Sequence, residues 1–218
     1  MKKDFDLARK IMVDNQIRPV GVTNFALLAS LGQVAREFFV PKNRISLAYS
    51  DADHKLSDTS YLMAPASFAR LAQLADVKSS DIVLVVGCGT AYSVAVLANI
   101  CNAVVGIEAD ENLVEIAEEA LSSLNVGNAV VLQKNIAQGV PSEAPFDVIL
   151  VEGEVEEIPQ TLFNQLRDGG KLVTVINDGG YGSASVFVKS GKNISKRVEF
   201  ELKTPALPSL GQVQEFAL

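Results

Sequence analysis

The sequence is poor in the residues that hold structural metal ions and disulfides. Among 218 residues it has one histidine, His54, and two cysteines, Cys88 and Cys101. A structural zinc ion is usually bound by four cysteine or histidine side chains, so these three exclude a zinc site of the ordinary kind. Two cysteines do not form a disulfide framework either, which favours a reducing, cytoplasmic environment.

Two further absences exclude classes of partner. No apolar run reaches the roughly 18 residues of a membrane-spanning helix, and the polar start of the chain lacks the apolar core of a secretion signal. Acidic residues outnumber basic ones by 26 to 19, for a net charge of −7. Because nucleic-acid binding depends on clustered lysine and arginine, we expect neither a nucleic-acid partner nor a membrane partner.

A buried strand followed by a glycine turn lies near the middle of the chain. Residues 82–86 are five consecutive apolar residues, the pattern of a strand buried on both faces. Gly87 and Gly89 follow at once, and glycine permits both a sharp turn and close approach of a ligand. A helix is predicted from about Tyr92. This order is typical of a nucleotide-binding doubly wound fold, whose ligand lies outside the carboxyl ends of the strands.

Strands and helices alternate after this turn, which predicts a parallel sheet covered on both faces. The predicted parallel strands are 82–86, 103–108, 129–133, 146–151 and 171–176. Helices are predicted over 111–124 and from Ile158 to Gly169 and Gly170, and a hairpin around Gly191 adds two antiparallel strands. The expected fold is therefore α/β and Rossmann-like, with seven strands, five parallel and two in a C-terminal antiparallel hairpin.

The first 75 residues are predicted to be mostly helical. A helix over 4–17 carries an apolar stripe that includes Leu7 and Ile11, and Thr23 is a candidate cap for a second helix. The polar stretch 42–60 is predicted to be loop, with His54 exposed in it. A helix then starts at Pro65 and runs to about Ala75. We therefore divide the chain into a helical extension, residues 1–75, packed on a domain of residues 76–218.

The chemistry of the glycine turn narrows the choice of ligand. Tyr92 occupies the position of the third glycine in a dinucleotide-binding fingerprint, which disfavours NAD. No Gly-Lys-Ser/Thr run is present to hold the phosphates of ATP. Glu108 ends the second strand, 19 residues after Gly89, where a carboxylate commonly accepts hydrogen bonds from ribose hydroxyls. An open, nucleoside-sized gap between the glycines and Glu108 would suit an adenosyl ligand without phosphates, such as S-adenosylmethionine. The alternative is that Glu108 is only a solvated strand end.

Several blocks of sequence, read together, are more specific than the glycine turn alone: 12–16, 36–41 (Arg-Glu-Phe-Phe-Val-Pro), 62–65 (Leu-Met-Ala-Pro), the glycine turn, 106–108, 146–151 and 158–172. They cover most of residues 12–176 and resemble, in the same order, the motifs of the protein-L-isoaspartate O-methyltransferase family. The resemblance implies a methyltransferase sheet, S-adenosylmethionine as methyl donor, and methylation of isoaspartyl carboxylates in damaged proteins and peptides, a form of protein repair.

The resemblance also implies which residues form the site. The cofactor residues are Gly87, Cys88, Gly89, Glu108, Asn135 at the adenine amine, Ile136 on the adenine ring, and Glu152 near the sulfonium. The substrate side is formed by Tyr61, Met63 and Ala64, and no metal is implied. The carboxylate is already ionised at neutral pH and the sulfonium methyl is already electrophilic, so alignment and exclusion of water would supply the catalysis.

Four positions depart from the family pattern. Met63 replaces a serine thought to hold the substrate carboxylate, and it cannot donate a hydrogen bond, so no residue is assigned a certain catalytic role. Val85 replaces an acid that orders the turn and favours the cofactor's amine, whereas Ala91 for glycine and Asn135 for aspartate are milder changes. A lost hydrogen bond to a charged group costs about 1.5–3 kcal/mol. The alternatives are therefore an inactive or weakened member acting as a binding or dimerisation module, or a methyltransferase with another substrate.

Overall fold

The centre of the fold is a seven-stranded sheet in the computed structural model, which describes residues 4–211. In chain order the strands are β1 (His54–Lys55), β2 (Tyr61–Leu62), β3 (Ile82–Val86), β4 (Ala103–Glu108), β5 (Ala129–Gln133), β6 (Phe146–Val155), β7 (Leu166–Asn177), β8 (Gly182–Ser190) and β9 (Asn193–Glu201). β1 and β2 form a separate antiparallel ribbon. The sheet order is β5-β4-β3-β6-β7-β8-β9, with β3 to β7 parallel and β8 and β9 antiparallel, which confirms the predicted fold class.

Helices cover both faces of this sheet. They are α1 (Phe5–Met12), α2 (Phe25–Gln33), α3 (Pro65–Ala75), α4 (Tyr92–Ala98), α5 (Glu111–Ser123), α6 (Gln160–Asn164) and α7 (Pro208–Gly211), and α1 continues as a π-helical turn over Val13–Ile17. Their starts follow local chemistry: Pro65 opens α3, where its missing N–H is harmless, and the Asp110 side chain accepts the Asn112 N–H at the start of α5. Within residues 4–211, no helix is long and apolar enough to cross a bilayer.

Alternate residues of the buried strands build two apolar clusters, one on each face of the sheet. Val83 and Val85 belong to the cluster that also contains Met12 of α1, whereas Leu84 and Val86 belong to the cluster that contains Leu207. Successive side chains of a strand point to opposite faces, which produces this division. The N-terminal helices therefore pack on one face, and residues near the C-terminal end of the described chain pack on the other.

Several predicted details of the N-terminal half are wrong. Asn24, not Thr23, caps α2, with its side chain accepting the Leu27 N–H at 3.0 Å. Leu7 and Ile11 lie exposed on α1, because the helix turns only one narrow side toward the core. His54, expected in an exposed loop, is 1% exposed in the β1–β2 ribbon.

The region after β6 also differs from the prediction. β6 runs on to Val155, and the helix expected from Ile158 onward is limited to Gln160–Asn164. Gly169 and Gly170, expected to end that helix, lie within β7 at a register irregularity next to β6. Leu166 fits the helical period of Ile158 and Leu162 but is the first residue of β7, so periodicity alone misassigned it.

Candidate cofactor and substrate site

The glycine turn lies at the carboxyl end of β3 and leads directly into α4. Gly87 and Gly89 have φ angles of +72° and +53°, which glycine adopts at little cost. The N–H groups of Gly87 and Cys88 both donate to the carbonyl of Ile107, at 2.9 and 3.2 Å, so the turn is tied to the end of β4. Ala91 also has a positive φ, +72°, which costs a residue with a Cβ about 1–2 kcal/mol. Its replacement of glycine is therefore less mild than expected.

Glu108 is bonded on both carboxylate oxygens by donors of the protein. Oε2 accepts the Gly89 N–H at 2.9 Å and the Ser60 hydroxyl at 3.3 Å. Oε1 accepts the N–H groups of Ala109 and Asp110 at 2.8 and 3.2 Å. The side chain is 4% exposed. The reading of Glu108 as a solvated strand end is therefore wrong, and the carboxylate faces the turn across the β3–β4 pair.

Two leucines fill the space that the sequence predicted to be open. A Cβ placed on Gly87 would stand 2.9 Å from both terminal methyls of Leu207, and one on Gly89 would stand 2.6 Å from a methyl of Leu56. Each leucine therefore lies against bare glycine backbone. The two glycines are therefore not the open backbone positions that the sequence predicted, because side chains from segments distant in sequence cover them.

The loop after β5 contains the two residues expected to meet adenine. Asn135 is exposed, and its side-chain oxygen accepts the Ala137 N–H at 3.0 Å. Ile136 is buried in the same apolar cluster as Leu207. Sequence reasoning missed Gln165, whose Oε1 accepts the Val140 N–H at 2.7 Å and whose Nε2 donates to the Gln138 carbonyl at 2.8 Å. A glutamine just after a helix carries no local signal of this role.

Arg36, to which sequence reasoning gave no role, holds together the region predicted to bind the substrate. Its guanidinium is fully buried, donates from Nε to the Ala48 carbonyl at 2.9 Å and from Nη2 to the Met63 carbonyl at 2.6 Å, and lies 4.5 Å from the centre of the Tyr92 ring. Arg36 therefore connects the backbone at Met63 to the start of α4. Its place at the head of the Arg-Glu-Phe-Phe-Val-Pro block was the available signal.

The three residues predicted for the substrate side differ in exposure. Met63 and Ala64 are buried, and Tyr61 is half-buried. The Ala64 N–H donates to Asp53 Oδ1 at 2.7 Å, which fixes the chain just before α3. Thr90 of the glycine turn donates to the Phe39 carbonyl at 2.6 Å, so the N-terminal blocks and the turn form one connected structure.

Burial raises the pKa of two titratable groups at the turn. Burial raises the pKa of Glu152 to about 8, with the Ser93 hydroxyl and the Arg36 charge opposing the shift. Its carboxyl therefore carries a proton at neutral pH. Burial also raises the pKa of the Cys88 thiol well above its usual value, and the neighbouring Glu108 adds to the shift. A nucleophilic role for Cys88 is thus disfavoured, because the thiolate is the reactive form.

Comparisons with known proteins agree with this geometry. A family model described as protein-L-isoaspartate(D-aspartate) O-methyltransferase matches residues 8–204. A protein-L-isoaspartate O-methyltransferase of Methanoculleus marisnigri is 34% identical over 168 residues, which are 77% of this chain and 76% of that protein.

Two solved structures share the fold. One protein-L-isoaspartate O-methyltransferase superposes with a TM-score of 0.79 at 24% identity, over 92% of this chain and 65% of that one, so this chain spans just under two thirds of its length. A Plasmodium falciparum protein assigned to the same family and solved in complex with S-adenosyl-L-homocysteine gives a TM-score of 0.76 at 25% identity, over 91% of this chain and 97% of that one. The resemblance drawn from the sequence motifs is confirmed, and the chain belongs to the protein-L-isoaspartate O-methyltransferase family of S-adenosylmethionine-dependent enzymes.

Proposed function

We propose that this protein transfers a methyl group from S-adenosylmethionine to the side-chain carboxylate of isoaspartyl residues in proteins and peptides. The observation that carries the proposal is the buried Glu108 carboxylate bonded to the Gly89 N–H, in a chain with the family's motifs. A carboxylate at the end of the second strand, facing a glycine turn, is the arrangement that binds the ribose of a nucleoside.

The proposed cofactor site consists of Gly87, Cys88, Gly89, Glu108, Asn135, Ile136 and Glu152. These residues fit an adenosyl ligand chemically, because two glycines with positive φ precede the helix and a carboxylate lies opposite them. The space between them is nevertheless taken by Leu56 and Leu207, so the segments that carry these leucines must move for the cofactor to enter. When bound, the cofactor supplies an electrophilic methyl group.

The proposed substrate side consists of Tyr61, Met63 and Ala64. An isoaspartyl carboxylate has a pKa near 4 and is already a nucleophile at neutral pH, so the chain has no proton to remove. Its task is to align the carboxylate oxygen with the methyl group and to exclude water, which suits the buried surroundings of Met63 and Arg36. Glu152 would remain protonated there and would not repel the incoming carboxylate.

A cytoplasmic location and a helical N-terminal extension are part of the same proposal. Cys88 and Cys101 are both unpaired, which suits a reducing compartment. The division at residue 75 stays a prediction, since side chains from both sides of it share one apolar cluster.

A second candidate function is favoured by the filled groove. With Leu56 and Leu207 in the space for the cofactor, and Met63 in place of a hydroxyl donor, the chain would act as a binding or dimerisation module. Methyl transfer to a different substrate is the third alternative.

A peptide methylation assay separates these alternatives. The purified protein is incubated with S-adenosylmethionine and either an isoaspartyl peptide or its aspartyl isomer, and methyl esters are measured as base-labile methanol. We expect esters from the isoaspartyl peptide alone. Met63→Ser should raise the turnover by about tenfold or more, because a hydrogen bond to a charged group is worth about 1.5–3 kcal/mol.

The matched control is Leu62→Ser, which places a hydroxyl one residue away and also loses a buried apolar side chain. Its turnover should not rise. Cofactor binding without methylation of either peptide, by the wild type and by Met63→Ser, would refute the proposed repair activity and favour the module or another substrate.

A further inference from the structure

We infer that the C-terminal segment, residues 204–210, competes with the cofactor for the groove above the glycine turn, so that cofactor binding requires the segment to leave. The inference rests on the proposed function, because it takes that groove as the cofactor site. The C-terminal segment would thereby lower the affinity for the cofactor, and cofactor binding would be coupled to movement of the segment.

The backbone of the C-terminal segment pairs with the end of β6. The Glu154 N–H donates to the Pro205 carbonyl at 2.8 Å, and the Leu207 N–H donates to the Glu154 carbonyl at 2.9 Å. Glu154 and Ala206 form an isolated parallel bridge. The segment therefore lies as a short extra strand beyond the carboxyl end of β3, next to the extended part of β6.

This place is the switch point of the sheet. β3 is the first strand of the sheet in the chain; β4 lies on one side of it and β6 on the other. Doubly wound folds bind their ligands in the crevice at the point where the strand order reverses. Leu207 lies in that crevice, because it contacts Gly87 after β3 and its Cβ lies 2.8 Å from where a Cβ on Gly153 of β6 would stand.

Leu207 is buried in this crevice in the way that a bound ligand would be. Leu207 is 6% exposed and Leu210 is 1% exposed, and both share an apolar cluster with Ile136, the residue predicted to contact adenine. Glycine at positions 87 and 153 leaves the backbone bare where Leu207 packs. A nucleoside placed over Gly87 and Ile136 would require the same volume.

The attachment of the segment is weak enough to be reversible. Its bridge to β6 has two backbone hydrogen bonds, whereas neighbouring strands of the sheet share continuous ladders. The hydroxyl of Thr204 is buried and has no hydrogen-bond partner within residues 4–211. Burial of leucine contributes most to holding the segment in the groove. Burying one leucine side chain changes the equilibrium constant for attachment by roughly ten- to hundredfold.

Calorimetric titration with S-adenosylhomocysteine tests the competition. The wild type is compared with Leu207→Ala and with Leu121→Ala, a matched control that removes an equally buried leucine of α5 from the apolar cluster on the other face of the sheet. Leu207→Ala should bind about tenfold tighter than the wild type, since less apolar surface must be displaced. Leu121→Ala should bind within about twofold of the wild type, because a site on the other face of the sheet is not coupled to the groove.

Hydrogen exchange on the wild-type protein gives a readout that does not depend on any variant. On adding S-adenosylhomocysteine, the amides of Glu154 and Leu207 should exchange faster, because the two hydrogen bonds between Glu154 and the C-terminal segment break. The Gly89 amide should exchange more slowly. Slower exchange at all three amides would overturn the inference, because the ligand would then bind with the segment in place.

The outcomes separate this inference from the proposed function. If the wild type methylates isoaspartyl peptide and Leu207→Ala binds no tighter, the competition is refuted and the function stands. If Leu207→Ala binds tighter but neither protein methylates the peptide, the competition stands and the repair function is refuted. If no variant binds the ligand, both are refuted.

Discussion

Replacing Glu108 by glutamine should destabilise the protein more than its conservative chemistry suggests. The carboxylate accepts four hydrogen bonds, from the Gly89 N–H and the Ser60 hydroxyl on one oxygen and from the N–H groups of Ala109 and Asp110 on the other. Glutamine has only one acceptor oxygen. Its NH₂ group must therefore face at least one backbone N–H.

The less costly orientation directs this NH₂ group toward Ser60 and Gly89, because the Ser60 hydroxyl can rotate and accept. The Gly89 N–H then stays unpaired, at about 1–3 kcal/mol. The bonds to Ala109 and Asp110 also weaken, because charge-assisted hydrogen bonds are roughly twice as strong as neutral ones. The sum is about 2–4 kcal/mol. For a chain of this length, that corresponds to a fall in melting temperature of about 5–15 °C.

Urea unfolding and thermal denaturation of the wild type and of Glu108→Gln measure this loss. Glu115→Gln is the control, since Glu115 is exposed on α5 and its replacement should change the unfolding free energy by less than about 0.5 kcal/mol. In a Ser60→Ala background the loss from Glu108→Gln should differ, because the rotating hydroxyl is gone. Equal stability of Glu108→Gln and the wild type would refute the hydrogen-bond arrangement.

Three further changes test the surroundings of the site. Because burial raises the pKa of Glu152 from 4.5 to about 8, the folded chain holds a proton that the unfolded chain releases. The free energy of unfolding should therefore fall as the pH rises from about 4.5 to 8, by at most about 1.4 kcal/mol per pH unit. Glu152→Gln should remove that decline. If urea titrations gave the same difference in unfolding free energy between the two proteins at every pH, the burial of a proton on Glu152 would be contradicted. Arg36→Met leaves two buried carbonyls without their donor and should lower the unfolding free energy by about 2–5 kcal/mol, with unchanged stability as the contrary result. Gln165→Ala should speed hydrogen exchange at the Val140 amide and lower the unfolding free energy by about 1–3 kcal/mol, and unaltered exchange there would count against the hydrogen bond between Gln165 and Val140.

The parallel strands were predictable because burial on both faces leaves a strong signal. The predicted bounds of β3, β4 and β5 match the structure, since continuous valine and isoleucine runs end at turn residues. The neighbourhood of Gly89 and Glu108 was predictable for the same reason. Parallel strands adjacent in the sheet bring their carboxyl ends together, so residues 19 positions apart are joined by a hydrogen bond.

The residues that close the groove were not predictable from local pattern. Leu56 lies in a polar stretch and Leu207 follows the last strand of the sheet, and a single leucine has no period. Arg36 is similar, because its burial depends on acceptors at residues 48 and 63 and on the ring of Tyr92. Such positions depend on packing between segments distant in sequence, and short-range propensity does not report that packing.

The departures from the family pattern and the filled groove have a common electrostatic consequence. Val85 is buried and apolar where the family has an acid, and Glu152 beside the turn is protonated at neutral pH. Donors of the protein already occupy both oxygens of the Glu108 side chain. Under the proposed function, Val85 cannot make a charged hydrogen bond to the cofactor's amine, which costs about 1.5–3 kcal/mol. Burying one leucine side chain contributes a similar amount. On the competition inferred above, Leu207 and the cofactor are therefore closely matched occupants of the groove, which is the condition under which Leu207 controls cofactor affinity.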